Sequence, residues 1–366
     1  MSRDDKDGID LRYVIAGLLC TLCVYLAFVS AVRLENSVSR FGYVADPDGT
    51  KQFLRELDKP NFKQAGAEAI ANATGVDTFL YRSAVRAHKI RYGRDWVCAT
   101  QGIGDCVSFA WMHGVWISQC CDWDTGRISE PPLMPCSESI YGGSRVEARN
   151  KTEGGGGWSD GSFGGAAARW VRDWGVVYRQ PIGGHDLTIY SADRAKQWGN
   201  FGNGGKGDNA KGAGSLDTLA KQFPTKHVCL VSDYQSCLAA IESGFPVAVC
   251  SGVGFGSVRD ADGFLERRGS WGHAMCLIAT RHADGPGKRD GILCLNSWGP
   301  SWVSGPKWPL DQPEGSFWIS KATISAMLSG EDSFAVGSVS GFGFRDLSHG
   351  DFLSPAPLPQ RETDQK

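Results

Sequence analysis

The longest apolar run of the chain lies near its amino terminus. Tyr13 to Val32 is a stretch of 20 residues without a charged side chain. A helix of that length, rising about 1.5 Å per residue, spans the roughly 30 Å hydrocarbon core of a membrane. The run is also longer than the apolar core of a signal peptide, which covers about 7–15 residues. We therefore expect an uncleaved membrane anchor, with a signal peptide cleaved after Val29-Ser30-Ala31 as the alternative.

The charges that flank this run indicate its orientation. Arg3, Lys6 and Arg12 precede it, and Arg33 and Arg40 follow it closely. Positive residues near a membrane helix favour the cytoplasmic side. We expect residues 1–12 to be a cytoplasmic tail and the rest of the chain to be extracytoplasmic, or secreted if the segment is cleaved.

Beyond the anchor, hydrophobic spacing divides the chain into three parts. Residues 33–94 are interpreted as a stalk with helical pieces at Gln52–Leu57 and Phe79–Val85. Residues 95–344 form one long globular stretch. Residues 345–366 are proline-rich and are expected to be a disordered tail.

Two glycine-rich segments interrupt the globular stretch. Residues 154–157 and 199–214 both contain clustered glycines. Glycine clusters between periodic segments are typical of loops, so both are expected at the surface. The 48 glycines of the chain argue against a helical bundle.

One cysteine stands at a predicted helix start. Gly102 and Gly104 interrupt regular structure, Cys106 follows, and helix-like apolar spacing then continues through Val107 to Ile117. A thiol at the first turn faces unpaired N–H groups and the positive end of the helix dipole. That position favours the nucleophilic thiolate. Judged alone, a buried structural cysteine would explain the pattern equally well.

Two later segments supply the partners that a thiolate needs. His273 begins an apolar, strand-like run, and Asn296 ends another such run. A nucleophilic thiol requires an imidazole base, and the imidazole requires a third group that fixes its tautomer and direction. An asparagine oxygen can do this without adding charge.

These segments resemble the papain-like cysteine protease family. Asn296-Ser297-Trp298-Gly299 followed by Trp302 matches the Asn-Ser-Trp-Gly-x-x-Trp block of that family, and His273-Ala274-Met275 matches its histidine strand. Gln101-Gly102 ahead of Cys106 resembles its Gln-Gly-to-Cys block. Weaker likenesses lie at residues 160–176 and 315–318, so the resemblance covers roughly residues 95–330.

The resemblance implies an α+β fold with a helical lobe and a β-barrel-like lobe, preceded here by one transmembrane helix. It implies that Cys106 is the nucleophile, His273 the base, Asn296 its orienting group and Gln101 an oxyanion donor. It further implies substrate contacts from a set of four residues: Gly161, Ser162, Ala274 and Trp298. The expected reaction is peptide-bond hydrolysis through an acyl-enzyme, on a peptide or protein substrate and without a metal or cofactor.

Several positions depart from the family pattern. The interval from Gln101 to Cys106 is one residue shorter than usual, and Asp105 would disfavour the thiolate if it faced the sulfur. Ser162 replaces the second glycine of the substrate-binding pair. No inhibitory pro-region is recognisable between residues 33 and 95. Two alternatives therefore remain: an amide hydrolase acting on cell-wall peptides, and an inactive membrane-anchored binding protein.

Charge and cysteine content refine this picture. The formal charge of −2 argues against nucleic-acid binding, which needs clustered positive residues. Of 12 cysteines, ten lie outside the apolar run, a density typical of an oxidising compartment. The spacing of two Cys-x-x-Cys pairs that marks zinc sites does not occur outside the apolar run. The disulfide connectivity and the oligomeric state do not follow from the sequence.

Overall fold

The runs rich in valine, isoleucine and leucine in the second half of the chain form a sheet of antiparallel strands. The computed structural model describes residues 41–148, 160–199, 216–225, 227–283, 289–337, 341–348 and 352–353. The predicted anchor Tyr13–Val32 lies outside these residues, as do residues 154–157 and almost all of 199–214. In the part that is described, no helix is long and apolar enough to cross a membrane.

The sheet is built from seven paired strands in the order β4-β9-β5-β6-β7-β8, with β1 paired to β6. Its path has two ends, so hydrogen bonds between the described strands do not close it into a barrel. A separate short hairpin joins β2 to β3. The strands are β1 Thr78–Phe79, β2 Pro181–Ile182, β3 His185–Asp186, β4 Val228–Leu230, β5 Val247–Phe255, β6 Arg267–Arg281, β7 Gly291–Leu295, β8 Ser316–Ser320 and β9 Phe334–Val336.

Most of the helices precede the long strands in the chain, which is the arrangement of an α+β fold. A π-helix at Ser144–Ala148 follows α6 directly. The α-helices are α1 Pro47–Leu54, α2 Phe62–Ala65, α3 Ala67–Ala71, α4 Tyr81–Tyr92, α5 Cys106–Asp124, α6 Ser137–Gly143, α7 Gly164–Asp173, α8 Ala192–Gly199, α9 Leu216–Ala220, α10 Tyr234–Glu242 and α11 Lys321–Leu328.

Helix α5 runs through the middle of the molecule. Nearly all of its side chains are buried, and a helix that is apolar on every side belongs inside a protein. Its first half, Cys106–Val115, packs into a core shared with α7, and Trp116–Cys121 pack into the core of the sheet. Helix α5 therefore joins two hydrophobic cores, one mainly helical and one mainly β.

The described part of the segment predicted as a stalk, residues 41–94, packs with the residues after 95 in one compact unit. Phe53 is buried in the helical core, β1 pairs with β6, and α4 packs against α5. The helical piece predicted at Gln52–Leu57 overlaps α1, and the one predicted at Phe79–Val85 begins at the end of β1 and is helical from Tyr81 onward, in α4. The pre-region is thus an integral part of the fold, because its apolar side chains complete both cores.

The boundary predicted for the disordered tail is also too early. Arg345 is fully buried, and its guanidinium lies 3.0 Å from an Asp122 carboxylate oxygen on α5. Phe352 is buried as well, and its carbonyl accepts a hydrogen bond from the Phe79 N–H at 2.8 Å. A buried ion pair and a buried aromatic ring hold the chain in place beyond residue 345.

The ten cysteines of the described residues are all free thiols, and all are buried. The pairing suggested by their number is therefore not observed. Buried free cysteines behave as small apolar residues, and burial raises the pKa of Cys276, Cys294 and Cys250. Their contribution is packing.

Candidate active site

Cys106 is the first residue of α5, as the sequence predicted. Ahead of it, the Gly104 N–H donates to an Asp160 carboxylate oxygen at 2.7 Å, and a Cβ at Gly104 would lie 2.7 Å from that carboxyl group. Glycine is therefore required where the loop turns into the helix. Complete burial raises the pKa of the Cys106 thiol to about 12, while backbone N–H groups of Ala274 and Gly42 oppose this rise.

His273 and Asn296 are held next to each other by two neighbouring strands, β6 and β7. His273 is the first fully buried residue of β6, and Asn296 directly follows β7. The His273 Nε2 lies 2.8 Å from Asn296 Oδ1, and the Ser297 N–H donates to the same oxygen at 2.7 Å. Because that atom accepts from a backbone N–H, it is the amide oxygen, and Nε2 of His273 must carry the proton.

The residue after His273 lies close to the thiol. The backbone N–H of Ala274 opposes the rise in the pKa of Cys106 that burial causes. With the Nε2 proton of His273 held by Asn296, Nδ1 is the nitrogen that can take a proton in the neutral ring. The packing of α5 against β6 thus puts the helix that begins at Cys106 beside the strand that carries His273.

Aromatic rings cover the histidine. Trp298 lies against His273 with ring centroids 4.6 Å apart, and Trp271 lies 4.8 Å from Trp298. Asn296 is completely buried beneath them. The cover keeps water from competing for the hydrogen bond between His273 and Asn296.

Gln101 is buried beside the same strands. Its amide nitrogen donates to the Ile103 carbonyl at 2.8 Å, and its amide oxygen accepts from the Ser297 hydroxyl at 2.7 Å. The Gln101 N–H also donates to the Ser297 carbonyl at 2.8 Å. Gln101 therefore links the loop before Cys106 to the segment that carries Asn296.

Asp105 accepts from a tyrosine. Its Oδ2 accepts a hydrogen bond from the Tyr190 hydroxyl at 2.8 Å, and the same hydroxyl accepts from the Gly102 N–H at 3.0 Å. Complete burial raises the pKa of Asp105 well above its usual value, and the charge of Asp105 contributes to the raised pKa of Cys106.

Gly161 and Ser162 form one wall of a groove beside Cys106. Gly161 has a φ of +95°, a conformation that favours glycine, and Arg145 donates to its carbonyl. The Ser162 hydroxyl donates to Ser144 Oγ at 2.8 Å. The backbone of Ser162, not that of Gly161, provides the hydrogen-bonding groups that face the groove.

A short segment of the chain itself, residues 41–44, occupies this groove. The Ser162 N–H donates to the Gly42 carbonyl at 2.8 Å, and the Val44 N–H donates to the Ser162 carbonyl at 2.9 Å. On the other side, the Tyr43 N–H donates to the Gly272 carbonyl at 3.0 Å. Residues 41–44 are thus a segment held between Ser162 and Gly272, and the backbone N–H of Gly42 lowers the pKa of the Cys106 thiol.

The side chains of this segment fill the groove on both sides. Phe41 lies 5.6 Å from Trp298 and 6.3 Å from His273, measured between ring centroids. Tyr43 turns the other way and packs against the helical core. Sequence reasoning missed this segment, because its only local mark is the alternation of aromatic residues around Gly42.

Comparison with solved structures identifies the architecture. The structure of xylellain, a cysteine protease from Xylella fastidiosa, is similar with a TM-score of 0.53 at 16% sequence identity, covering 82% of this chain and 97% of xylellain. The fold is papain-like. At this level of identity the likeness establishes the fold and not the activity.

A second solved structure is also similar. Digestive procathepsin L 3 of Tenebrio molitor is 14% identical with a TM-score of 0.46, covering 86% of this chain and 88% of that protein. No protein-family model matches the chain, and no curated protein matches it. The papain-like fold is therefore known here from the structure and from short motifs, at low overall similarity.

Proposed function

We propose that this protein is a cysteine-type peptidase, with Cys106, His273 and Asn296 as its catalytic triad. The observation that carries the proposal is the 2.8 Å contact between His273 Nε2 and Asn296 Oδ1, on an oxygen that Ser297 also identifies as an acceptor. This contact leaves Nδ1 to serve as the base for a thiol at the start of a helix.

The proposed chemistry has two steps. Nδ1 of His273 takes the proton of the Cys106 thiol, and the thiolate attacks the carbonyl carbon of a peptide bond. The carbon–sulfur bond forms, the carbonyl electron pair moves to oxygen, and its return expels the amine, which takes the proton from His273. Water then attacks the thioester, and the acid product leaves the thiol regenerated.

Two groups would stabilise the oxyanion. The Cys106 N–H belongs to the first turn of α5, where backbone N–H groups lack helical partners. The resemblance to papain-like proteases makes the Gln101 side chain the second candidate donor, and in this conformation its amide nitrogen donates to the Ile103 carbonyl. One well-placed donor typically contributes about 10²–10³ in rate.

In the conformation described, the groove is filled, and we propose that this form is latent. A substrate must displace residues 41–44 to reach Cys106. Burial also raises the pKa of the Cys106 thiol, which disfavours the nucleophilic thiolate in this conformation. A Cβ on Gly42 would lie 1.7 Å from the Gly104 carbonyl oxygen. Because that oxygen belongs to the backbone, Gly42→Ala should expel the segment.

The test combines this variant with labelling by a peptidyl epoxide, which alkylates reactive thiols. Gly42→Ala should label faster than the unmodified protein, at Cys106 as located by mass spectrometry. The added Cys106→Ser change should abolish the label. Gly256→Ala is the matched control, since a Cβ there meets no atom within 4 Å. If Cys106 reacts no faster than free cysteine in any variant, the peptidase proposal fails.

That negative outcome would favour the alternative of an inactive binding protein. The Gln101 amide nitrogen donates to Ile103, and the burial of Cys106 raises its pKa. Both observations are compatible with a fold that has lost catalysis.

The alternative of an amide hydrolase that acts on cell-wall peptides is tested on the same Gly42→Ala variant. Cleavage of peptides derived from proteins, or instead of peptides derived from cell walls, shows which of these two substrate classes the enzyme hydrolyses.

A further inference from the structure

The two proposed oxyanion donors stand at opposite ends of a short loop. Gln101 begins the loop, and Cys106 begins the helix that follows it. Two of the residues between them, Gly102 and Gly104, are glycines, whose backbone is the least restricted. Contacts from outside the loop therefore set the relative position of the two donors.

One tyrosine hydroxyl bridges the two ends of this loop. The Gly102 N–H donates to the Tyr190 hydroxyl at 3.0 Å, and that hydroxyl donates to Asp105 Oδ2 at 2.8 Å. Gly102 directly follows Gln101 in the chain, and Asp105 directly precedes Cys106. The bridge thus joins the two residues that lie next to the two donors.

Burial, and then the charge of Asp105, raises the pKa of Tyr190. The phenol therefore keeps its proton and donates it to Asp105, while its oxygen accepts from Gly102. A side chain at Gly102 would prevent this approach, because a Cβ there would lie 2.9 Å from Ala192 Cβ at the start of α8. That distance is well below the separation at which carbon atoms pack.

Tyr190 is itself held in place by its neighbours. Its ring packs edge-on against Phe109 of α5, with ring centroids 5.1 Å apart. The N–H of the next residue, Ser191, donates at 2.9 Å to Glu138, which is fully buried and pairs with Arg179 at 2.7 Å. Buried groups of the helical part of the molecule therefore hold both the ring and the adjoining backbone.

We propose that Tyr190 is a positioning residue, which fixes the Gln101 side chain and the Cys106 N–H relative to each other. The inference rests on the proposed peptidase function. The bridge acts on the loop between the donors, so its loss should weaken stabilisation of the oxyanion and leave substrate binding intact. Misplacement of catalytic groups by about 1 Å can cost about 10²-fold in rate.

Tyr190→Phe tests this proposal, because it removes the hydroxyl and keeps the ring against Phe109. The change is made in the Gly42→Ala variant, in which we expect the groove to be open. The kcat per titrated Cys106 should fall at least about tenfold, with KM little changed. Renewed occupancy of the groove by residues 41–44 would instead compete with substrate and raise KM.

Tyr178→Phe is the matched control. The Tyr178 hydroxyl also takes part in a hydrogen bond, accepting from Gln119 Nε2 at 2.8 Å. Its ring packs edge-on against Phe223, with centroids 5.0 Å apart. This variant loses a comparable hydroxyl at a place outside the loop, and it should keep kcat and KM unchanged.

Two thiol reagents separate the oxyanion site from the thiol. An aldehyde built on the cleaved peptide adds to the Cys106 sulfur, a carbon–sulfur bond forms, and the carbonyl electron pair moves to oxygen. With iodoacetamide the sulfur displaces iodide, and no oxyanion forms at the attacked carbon. Tyr190→Phe should weaken inhibition by the aldehyde at least about tenfold and leave the rate of alkylation unchanged.

Amide hydrogen exchange tests the bridge without any catalysis. In full-length Tyr190→Phe the Gly102 N–H loses its acceptor, and it should exchange about fivefold faster, as expected for one lost hydrogen bond. Exchange at Gly102 in Tyr178→Phe should match that of the unmodified protein.

Each other result would overturn the inference. Unchanged exchange at Gly102 would mean that the bridge does not form. Faster exchange with unchanged kcat and unchanged aldehyde affinity would mean that the bridge does not position the donors, and a rise in KM alone would mean that Tyr190 acts on substrate binding. If exchange rises as expected and Gly42→Ala cleaves no peptide, the bridge stands as a support of the loop and the peptidase proposal fails.

Discussion

At the scale of single residues, the pKa of the thiol is set by burial and by two nearby backbone N–H groups. Complete burial raises the pKa of Cys106, and the N–H groups of Ala274 and Gly42 oppose that rise. When residues 41–44 leave the groove, solvent reaches the sulfur and the largest cause of the raised pKa diminishes. Reactivity of Cys106 is therefore coupled to the occupancy of the groove.

Cys106→Ser is expected to abolish hydrolysis with little change in melting temperature. A hydroxyl nearly matches the thiol in size but is a far weaker acid than a thiol of pKa about 8.5. The hydrolysis rate on a peptide substrate and the melting temperature, both measured on the same sample, test these two expectations. Full activity in this variant would disprove the assignment of the nucleophile.

Cys294→Ser is the matched change at a cysteine with no proposed role in chemistry. Cys294 is buried in β7, with its sulfur 3.6 Å from Met275 Sδ. A hydroxyl there has no good acceptor, which typically costs about 1–3 kcal/mol of stability. The melting temperature should fall, while activity per folded molecule stays unchanged in a titrated assay.

Asp105→Asn should alter how stability depends on pH. The raised pKa of buried Asp105 means that the folded protein keeps a proton that the unfolded chain loses above about pH 4. Stability is therefore lost as pH rises from about 4 toward the folded pKa. Asparagine does not titrate, and its oxygen can still accept from Tyr190. Melting temperatures from pH 4 to pH 8 should fall less in the variant, and parallel curves would refute the raised pKa.

At the scale of elements, the positions of Cys106, His273 and Asn296 at the ends of their helix and strands could be predicted, and the contacts of residues 41–44 could not. Cys106, His273 and Asn296 each stand where a local apolar pattern begins or ends, so their places followed from hydrophobic periodicity. The contacts of Gly42 and Tyr43 with Ser162 and Gly272 join distant parts of the chain. Hydrophobic periodicity reports on residues that are close in sequence, so it does not predict contacts between distant parts of the chain.

The tail beyond Phe344 also shows what local sequence composition does not predict. Its prolines predicted disorder, yet Arg345 forms a buried ion pair with Asp122 and also donates to Ser118 Oγ at 3.1 Å. A local composition of prolines does not reveal that a single arginine has a buried partner on α5. Composition therefore placed the end of the folded chain too early.

Arg345→Ala should destabilise the protein strongly. It leaves Asp122 buried without its partner, and loss of one member of a buried pair typically costs about 3–5 kcal/mol. Lys89→Ala is the control, because the pair of Lys89 with Asp95 is largely exposed and such pairs contribute about 0–1 kcal/mol. Urea unfolding should separate the two variants clearly, and similar midpoints would contradict the proposed importance of the tail.

At the scale of the whole molecule, we propose that Tyr13–Val32 anchors the papain-like domain to a membrane. The uncharged run motivates this proposal, and it lies outside the described residues. After carbonate treatment of membranes the full-length protein should stay in the pellet, with a mass that includes the run. A released protein that starts near Val32 would show that the run is a cleaved signal peptide.

The aromatic cover of His273 has an optical consequence. Trp271, Trp298 and Trp302 lie with ring centroids 4.8 to 6.4 Å apart, and Phe41 closes the group from the side of the groove. Indoles this close couple their excited states, and their emission shifts to longer wavelength when water replaces an aromatic neighbour. Departure of Phe41 should therefore appear as a red shift in fluorescence and as a change in the near-ultraviolet circular dichroism. The protein carries its own spectroscopic reporter of whether its groove is filled.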